Sequence, residues 1–248
     1  MSISNNKFDK RIEGKTYIFV NLALVLVLAG IATYLDQILT LNKLCGVTYF
    51  DWMELTIIPL WIFSVACMIA LKHNGKKDVK WLMFTAIVCC GLAEFAKPFF
   101  GIVLHIDRSF GFAFFFVTQL CIFIALLIEH PFKKKDLYTG LVIGAMCAFY
   151  ITYWVYDDRS NHDLKMKIAY PCYIGLLNLL LWRAIVLFTR DRSYFIWFIA
   201  ALCFYVSDGL VTMHITWNAG LAFTMWLTYF GAIFAYGISY IKDTGRVL

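Results

Sequence analysis

Long apolar stretches separated by short polar connections run through most of this chain. Each stretch is close to the ~20 residues that an α-helix needs to cross the hydrocarbon core of a bilayer. No long linker or low-complexity tract interrupts the series, so the pattern predicts one compact bundle. The eight predicted spans are 17–34, 54–71, 81–104, 110–128, 137–156, 168–189, 194–214 and 219–241.

The sequence therefore predicts three parts of the chain. We predict a basic N-terminal segment over residues 1–16, a single transmembrane bundle over 17–241 and a short tail over 242–248. The first apolar run is long enough to be a span, so we expect it to be retained rather than cleaved as a signal peptide. The mixed segment 36–53 is interpreted as an interfacial connection.

Composition agrees with this pattern. Of the 248 residues, 62% are hydrophobic and 15% are charged, with a mean hydropathy of +0.73. An ordinary soluble domain is about 45–50% apolar and about 25% charged. These values exclude a soluble globular enzyme, a disordered chain and a nucleic-acid-binding module, and they indicate a polytopic all-α membrane protein.

The basic residues predict an orientation. With eight spans, sixteen of the 22 Lys and Arg fall on the side that carries both termini, and five fall on the other side. The positive-inside rule then places both termini on the cytosolic or matrix side. The net charge of +6 is explained by topology and requires no nucleic-acid partner. The endoplasmic reticulum and the mitochondrial inner membrane both fit this pattern.

A few polar residues lie inside the predicted spans. Ionisable groups there cost free energy and usually face a bundle interior or a wet cavity, which makes Glu94, Lys97 and Asp208 candidates for function. Neutral polar residues at this depth either line such a site or hydrogen-bond neighbouring helices and hold the bundle together. They are Thr118, Gln119, Asn178, Ser207, Thr228 and Tyr229.

Glu94 and Lys97 are three positions apart and so lie on one helix face. Two interpretations stay open: the two charges neutralise each other, or the pair has a catalytic role. Pro98 follows directly, removes a backbone donor and predicts a kink beside the pair.

The sequence does not support a disulfide framework, a metal site or a cofactor site. The eight Cys contain no C-x-x-C pair, and no two of the five His are four positions apart, so we predict no disulfide framework and no metal. The chain also lacks a G-x-S-x-G elbow and a Gly-rich phosphate loop, and we predict no cofactor.

Two elements of the C-terminal half form a recognisable pair. One predicted span carries Phe204, Ser207 and Asp208 in the order F-x-x-S-D, and the last span carries Tyr229 and Ala232 among small residues. Together they resemble the second half of the YhhN-type lysoplasmalogenase family. That resemblance implies an eight-span fold and hydrolysis of the vinyl-ether bond of lysoplasmalogens.

The first half resembles the family in layout only, so the resemblance covers about residues 81–241. Where the family has Gly-Asp in the third span, this chain has Pro98 and Phe99. Where the family has a His in the next span, it has Gln119. Glu94 is the one carboxylate left in the third span.

Cleavage of a vinyl ether needs an acid that protonates the enol-ether carbon and a base that activates water. We hypothesise that Asp208 is one partner and that Glu94 substitutes for the other. Either Lys97 or Arg183 could hold a lipid phosphate, and Arg183 lies towards the opposite face. The predicted substrate-binding residues are Lys97, Gln119, Asn178, Ser207 and Tyr229.

Two alternatives remain. The changed motifs, with many aromatic residues for packing, also fit a catalytically degenerate family member that serves as a lipid-contacting accessory subunit of a large membrane complex. A retinal protein is disfavoured because the last span has no Lys, and a transporter because the break at Pro98 has no counterpart that would indicate an inverted repeat. The expected partners are a membrane lipid and, in the accessory alternative, other membrane subunits.

Overall fold

The chain folds into a helical bundle. The computed structural model describes residues 19–35, 43–44, 47–72, 76–104, 110–134, 136–156, 164–217 and 221–242. The α-helices are α1 (Phe19–Leu35), α2 (Tyr49–Leu55), α3 (Ile57–Lys72), α4 (Lys77–Pro98), α5 (Phe110–Glu129), α6 (Asp136–Tyr156), α7 (Leu164–Arg190), α8 (Phe195–Trp217) and α9 (Ala222–Lys242). The predicted all-α class is confirmed. The predicted segment 1–16 lies outside the described residues, as does the tail after Lys242.

Two short strands precede α2. β1 (Lys43–Leu44) and β2 (Val47–Thr48) pair antiparallel, with Lys43 opposite Thr48. A single 3₁₀ turn, Arg192–Tyr194, joins α7 to α8.

Six helical segments are long and apolar enough to cross a membrane. The helices Phe19–Leu35 and Asp136–Phe149 are apolar but shorter, which gives eight apolar segments among the described residues. The prediction of a multi-pass bundle with about eight spans is therefore confirmed, while the side on which the termini lie stays a prediction. The six longer segments are Asp51–Leu71, Lys77–Ile102, Gly111–Glu129, Ile168–Arg190, Arg192–Val211 and Ala222–Ser239.

The second span begins earlier than the hydropathy pattern predicts. Thr48 is the N-cap of α2: its hydroxyl accepts a hydrogen bond from the backbone N–H of Asp51 at 3.1 Å. The Asp51 carboxylate in turn accepts one from the backbone N–H of Thr48 at 3.4 Å. This reciprocal capping box fixes the start of a helix at Tyr49, and the candidate span begins at Asp51, three residues before the predicted start at 54.

The chain around Pro98 departs from a simple kink. Helix α4 ends at Pro98 and continues as one π-helical turn, Phe99–Val103, in which Leu104 donates its N–H to the carbonyl of Phe99 at 3.3 Å. Proline cannot donate to the i−4 carbonyl, and wider π turns often replace regular helix at such points and at functional sites.

Helix α4 packs against α3 and α5, while α8 packs along α9. The buried core between these helices is apolar and includes Phe204, Phe230 and Tyr236. By contrast, α6 leaves Leu137 and Leu141 largely exposed, as expected for a helix that faces lipid. The buried polar residues that concern the site come from α2, α4, α5, α7 and α8.

Candidate functional site

Lys97 joins two carboxylates that come from different helices. Its ammonium Nζ lies 2.8 Å from Oε2 of Glu94 on α4 and 3.2 Å from Oε1 of Glu54 on α2. Both acids are buried, whereas the Lys97 side chain is 30% exposed. The predicted pairing of Glu94 with Lys97 is present, and Glu54 adds a second acid that the sequence pattern had placed at the edge of a span.

Helix α5 holds the stem of Lys97 in place. Gly111 packs so closely that a Cβ atom there would lie 2.6 Å from Cγ of Lys97 and 3.0 Å from the carbonyl oxygen of Ala93. One helical turn further on, the Phe115 ring lies with its centroid 5.5 Å from Nζ of Lys97, a cation–π contact. A small residue and an aromatic residue on one face of α5 thus orient the lysine towards the acids.

Two tyrosines extend this polar group across the bundle. On α9, the Tyr229 hydroxyl lies 3.2 Å from Sγ of Cys90 and also interacts with the Glu94 carboxylate. On α7, the Tyr173 hydroxyl donates a hydrogen bond to Oδ2 of Asp208 at 2.7 Å. Each tyrosine therefore connects one of the two predicted catalytic acids to a helix other than its own.

Glu94 and Asp208 belong to one electrostatic group. Asp208 on α8 lies within electrostatic reach of both Glu94 and Lys97, and Cys90 is within reach of all three. We call Glu54, Glu94, Lys97 and Asp208 the acid–lysine cluster. Five helices contribute to it and to its tyrosine partners, namely α2, α4, α7, α8 and α9, so it exists only in the assembled bundle.

Gln119 on α5 faces the same region. Its side chain is fully buried and lies near the Tyr173 hydroxyl, yet neither amide atom makes a hydrogen bond of good geometry. A buried amide without partners costs free energy. Its nitrogen and oxygen are therefore available to a polar group that enters the cluster.

The other polar residues predicted inside the spans include Ser207, Asn178 and Thr118. Ser207 is buried on α8 next to Asp208. Asn178 donates its amide N–H to the Ile174 carbonyl of its own helix at 2.8 Å. Thr118 donates to the Ala86 carbonyl on α4 at 3.0 Å, which is the helix-joining role that neutral polar residues often have.

Within the described ranges, no group of three or more His, Cys, Asp or Glu side chains is arranged to hold a metal ion. What the cluster offers is paired carboxylates, an ammonium and phenolic hydroxyls, which are the groups used for acid–base chemistry.

Comparison with known proteins agrees with this architecture. The model of the YhhN family matches residues 51–236. The chain belongs to the YhhN family. No curated protein and no solved structure matches the chain. The matched region contains the whole acid–lysine cluster, beginning three residues before Glu54, and it confirms the family resemblance that the F-x-x-S-D element carries.

Sequence reasoning missed three members of the site, and only one had a usable signal. Glu54 follows Thr48 and Asp51, whose T-x-x-D spacing is a helix-start pattern that would have moved Glu54 into the span. Tyr173 and Cys90 had no such signal, because aromatic and Cys residues are common throughout these helices.

Proposed function

We propose that the protein is a membrane hydrolase of the lysoplasmalogenase type, which cleaves the vinyl-ether bond of a lysoplasmalogen. The observation that supports this most directly is the presence of Glu94 and Asp208, from different helices, in one buried polar group. Two carboxylates in different surroundings can divide the roles of acid and base. Membership of the YhhN family is consistent with this activity.

The reaction consumes one water. A proton is added to the vinyl carbon distant from the ether oxygen, and the resulting oxocarbenium ion is attacked by water at the carbon bonded to that oxygen. The hemiacetal then breaks its bond to the glycerol oxygen, which takes up a proton. The products are a fatty aldehyde and the glycerophospho-headgroup, so atoms and charge balance.

The surroundings of the two acids suggest their roles. The Lys97 ammonium stabilises the carboxylate of Glu94, which suits Glu94 to activating water and to balancing the positive charge that develops on the substrate. We assign Asp208 as the proton donor: when it is protonated, Oδ2 can still accept from the Tyr173 hydroxyl, and the other oxygen carries the proton to be donated. These roles require both groups to reach the same substrate atoms.

Lys97 serves this reaction by holding the acids rather than by binding phosphate. Its charge is already balanced by Glu54 and Glu94, so it has little attraction left for an anionic headgroup. Gln119 and Tyr229 are better placed to contact the glycerol hydroxyl, since both present polar atoms towards the cluster. Ser207 and Asn178 stay predictions as substrate contacts.

Purified protein in detergent, supplied with a lysoplasmalogen, tests the proposal. Release of aldehyde is measured, with an acyl lysophospholipid of equal chain length as the substrate control. We expect Asp208→Asn and Glu94→Gln each to lower the rate by about 10²–10⁴-fold, the usual contribution of a general acid or base. The matched control is Asp191→Asn, which changes an exposed carboxylate between α7 and α8 and should leave the rate unchanged.

Full turnover in Asp208→Asn would contradict the assignment of the acid. Absence of aldehyde from the wild-type protein, with the bundle folded, would contradict the activity itself and favour the accessory-subunit alternative.

A further inference from the structure

A second buried group of charges lies at the other end of α7. It consists of Asp136, the first residue of α6, with Arg183 and Arg190 of α7. Along a helix, the ten residues from Tyr173 to Arg183 span about 15 Å. This arginine cluster is therefore separate from the acid–lysine cluster, and it faces the side of the bundle that the basic connections predict to be cytosolic.

The arginine cluster contains one acid for two guanidinium groups. Oδ2 of Asp136 accepts from Nη1 of Arg183 at 3.2 Å, and Oδ1 contacts Nη2 of Arg190. The backbone N–H of Lys133 also donates to this carboxylate, at 2.9 Å. Because arginine stays protonated in proteins, these three side chains retain one positive charge.

Arg183 has donors that the protein does not use. Its side chain is fully buried, but Nε and Nη2 have no hydrogen-bond partner. These two groups form one edge of the guanidinium, the edge that binds two oxygens of a phosphate or carboxylate side by side. Buried charged donors without acceptors are costly, so this edge indicates an anion that the protein alone does not provide.

The neighbouring residues make the region more positive. His130 bonds the Tyr194 hydroxyl through Nε2 at 2.6 Å. Partial burial lowers the pKa of His130, and three nearby cations lower it further. Those cations are Arg183, Lys76 and Arg190. The three cations outnumber the acid that opposes them at His130, Asp191, and such an excess of positive charge favours an anionic ligand.

We propose that the arginine cluster binds a phosphate-bearing anion through the Nε and Nη2 edge of Arg183, with Arg190 as the second cation. The ligand enters past Phe132, whose ring lies 4.9 Å from the guanidinium carbon and is 49% exposed. The exposed loop that carries Phe132 also carries Lys133 and Lys134, which add positive charge along this route.

Two sources can supply this chemistry: the phosphate of a lipid headgroup in the adjacent leaflet, and free phosphate. Purified protein in detergent is therefore titrated separately with inorganic phosphate and with phosphatidic acid, with phosphatidylcholine as the zwitterionic control. The measurement is the shift in unfolding temperature, since a ligand that binds only the folded state stabilises it by mass action.

The variants separate binding from folding. Arg183→Gln removes the unpartnered edge, and we expect it to weaken the apparent affinity for the active probe at least tenfold. Asp136→Asn releases both guanidinium groups from their carboxylate, and we expect a larger thermal shift from the same probe than the wild type shows. The matched control is Arg192→Gln, an exposed arginine that covers the Phe188 ring and should leave the affinity unchanged.

A shift with phosphatidic acid alone supports a lipid headgroup as the ligand, and a shift with inorganic phosphate supports a general phosphate site. The proposal is overturned if neither probe shifts the wild-type protein, or if Arg192→Gln weakens binding as much as Arg183→Gln does. Should Arg183→Gln fail to fold, a shift in Asp136→Asn no larger than that of the wild type overturns it. The readout is binding, so the result is independent of whether the acid–lysine cluster hydrolyses lysoplasmalogen.

Discussion

Removal of the Lys97 charge should destabilise the bundle more than removal of either acid beside it. Lys97→Gln leaves Glu54 and Glu94 facing each other across a buried site with no cation between them. Glu54→Gln keeps an oxygen that can accept from the ammonium, and Glu94 still balances the charge. The two substitutions therefore test whether this lysine holds α2 against α4.

The magnitude follows from the geometry. At 3.2 Å and an effective dielectric constant of about 20, the attraction between Lys97 and Glu54 is about 5 kcal/mol before desolvation is subtracted. Breaking a buried ion pair from one side costs about 3–5 kcal/mol, because a charge stays behind without a partner. We expect a loss in this range for Lys97→Gln and a loss of about 1–3 kcal/mol for Glu54→Gln, which keeps a hydrogen bond.

Reversible unfolding in mixed micelles measures both free energies and the coupling between the two sites. In a double-mutant cycle, the double variant Glu54→Gln/Lys97→Gln should lose less free energy of unfolding than the two single variants lose together, by about 1–3 kcal/mol. The matched control is Lys80→Gln on the same helix, where the ammonium lies 5.8 Å from the centroid of the Trp81 ring. That substitution should cost under about 1 kcal/mol, as for an exposed cation–π contact.

A coupling energy of zero, with Lys97→Gln as stable as Lys80→Gln, would refute this reasoning. It would mean that Lys97 and Glu54 do not form an ion pair in the folded bundle. Equal losses for Glu54→Gln and Lys97→Gln would likewise refute the claim that the ammonium is shared by two acids.

Two further predictions concern the contacts around each cluster. Gly111→Ala places a methyl group against Lys97 and should slow aldehyde release about tenfold. It should also lower stability by about 1–3 kcal/mol through overpacking. The control is Gly144→Ala, where nothing lies within 4 Å of the added Cβ atom, and it should show neither effect in the same assays. Folding holds the pKa of His130 below its ordinary value of about 6.5. The stability that the neutral His130 side chain contributes to the fold is therefore present above about pH 6.5 and is lost as the pH falls through the folded-state pKa. Unfolding temperatures measured across this interval should fall less steeply for His130→Gln than for the wild type, and identical slopes would contradict the prediction.

The sequence predicted the spans well because the bilayer imposes one dominant requirement, a run of about 20 apolar residues. Glu94 and Asp208 stand out in the sequence for the same reason, since a carboxylate inside such a run is unusual, and their role as site residues stays a prediction. The sequence could not predict that Tyr173 bonds Asp208, because that contact depends on how α7 packs against α8. Helix rotation is set by packing among all neighbours, and hydropathy carries little information about it when lipid and protein interior are equally apolar.

The position of Glu54 changes how the departures from the family pattern are understood. The resemblance places the family's aspartate of the third span at Phe99 in this chain, which removes one carboxylate from that helix. Glu54 supplies a carboxylate to the same lysine-bearing face of α4 from a neighbouring helix instead, 3.2 Å from Nζ of Lys97. The acids beside Lys97 thus come from two helices, α2 and α4. The loss of a motif residue in α4 is therefore compatible with an intact acid–base group, provided that the capping box at Thr48 starts α2 early enough to bury Glu54.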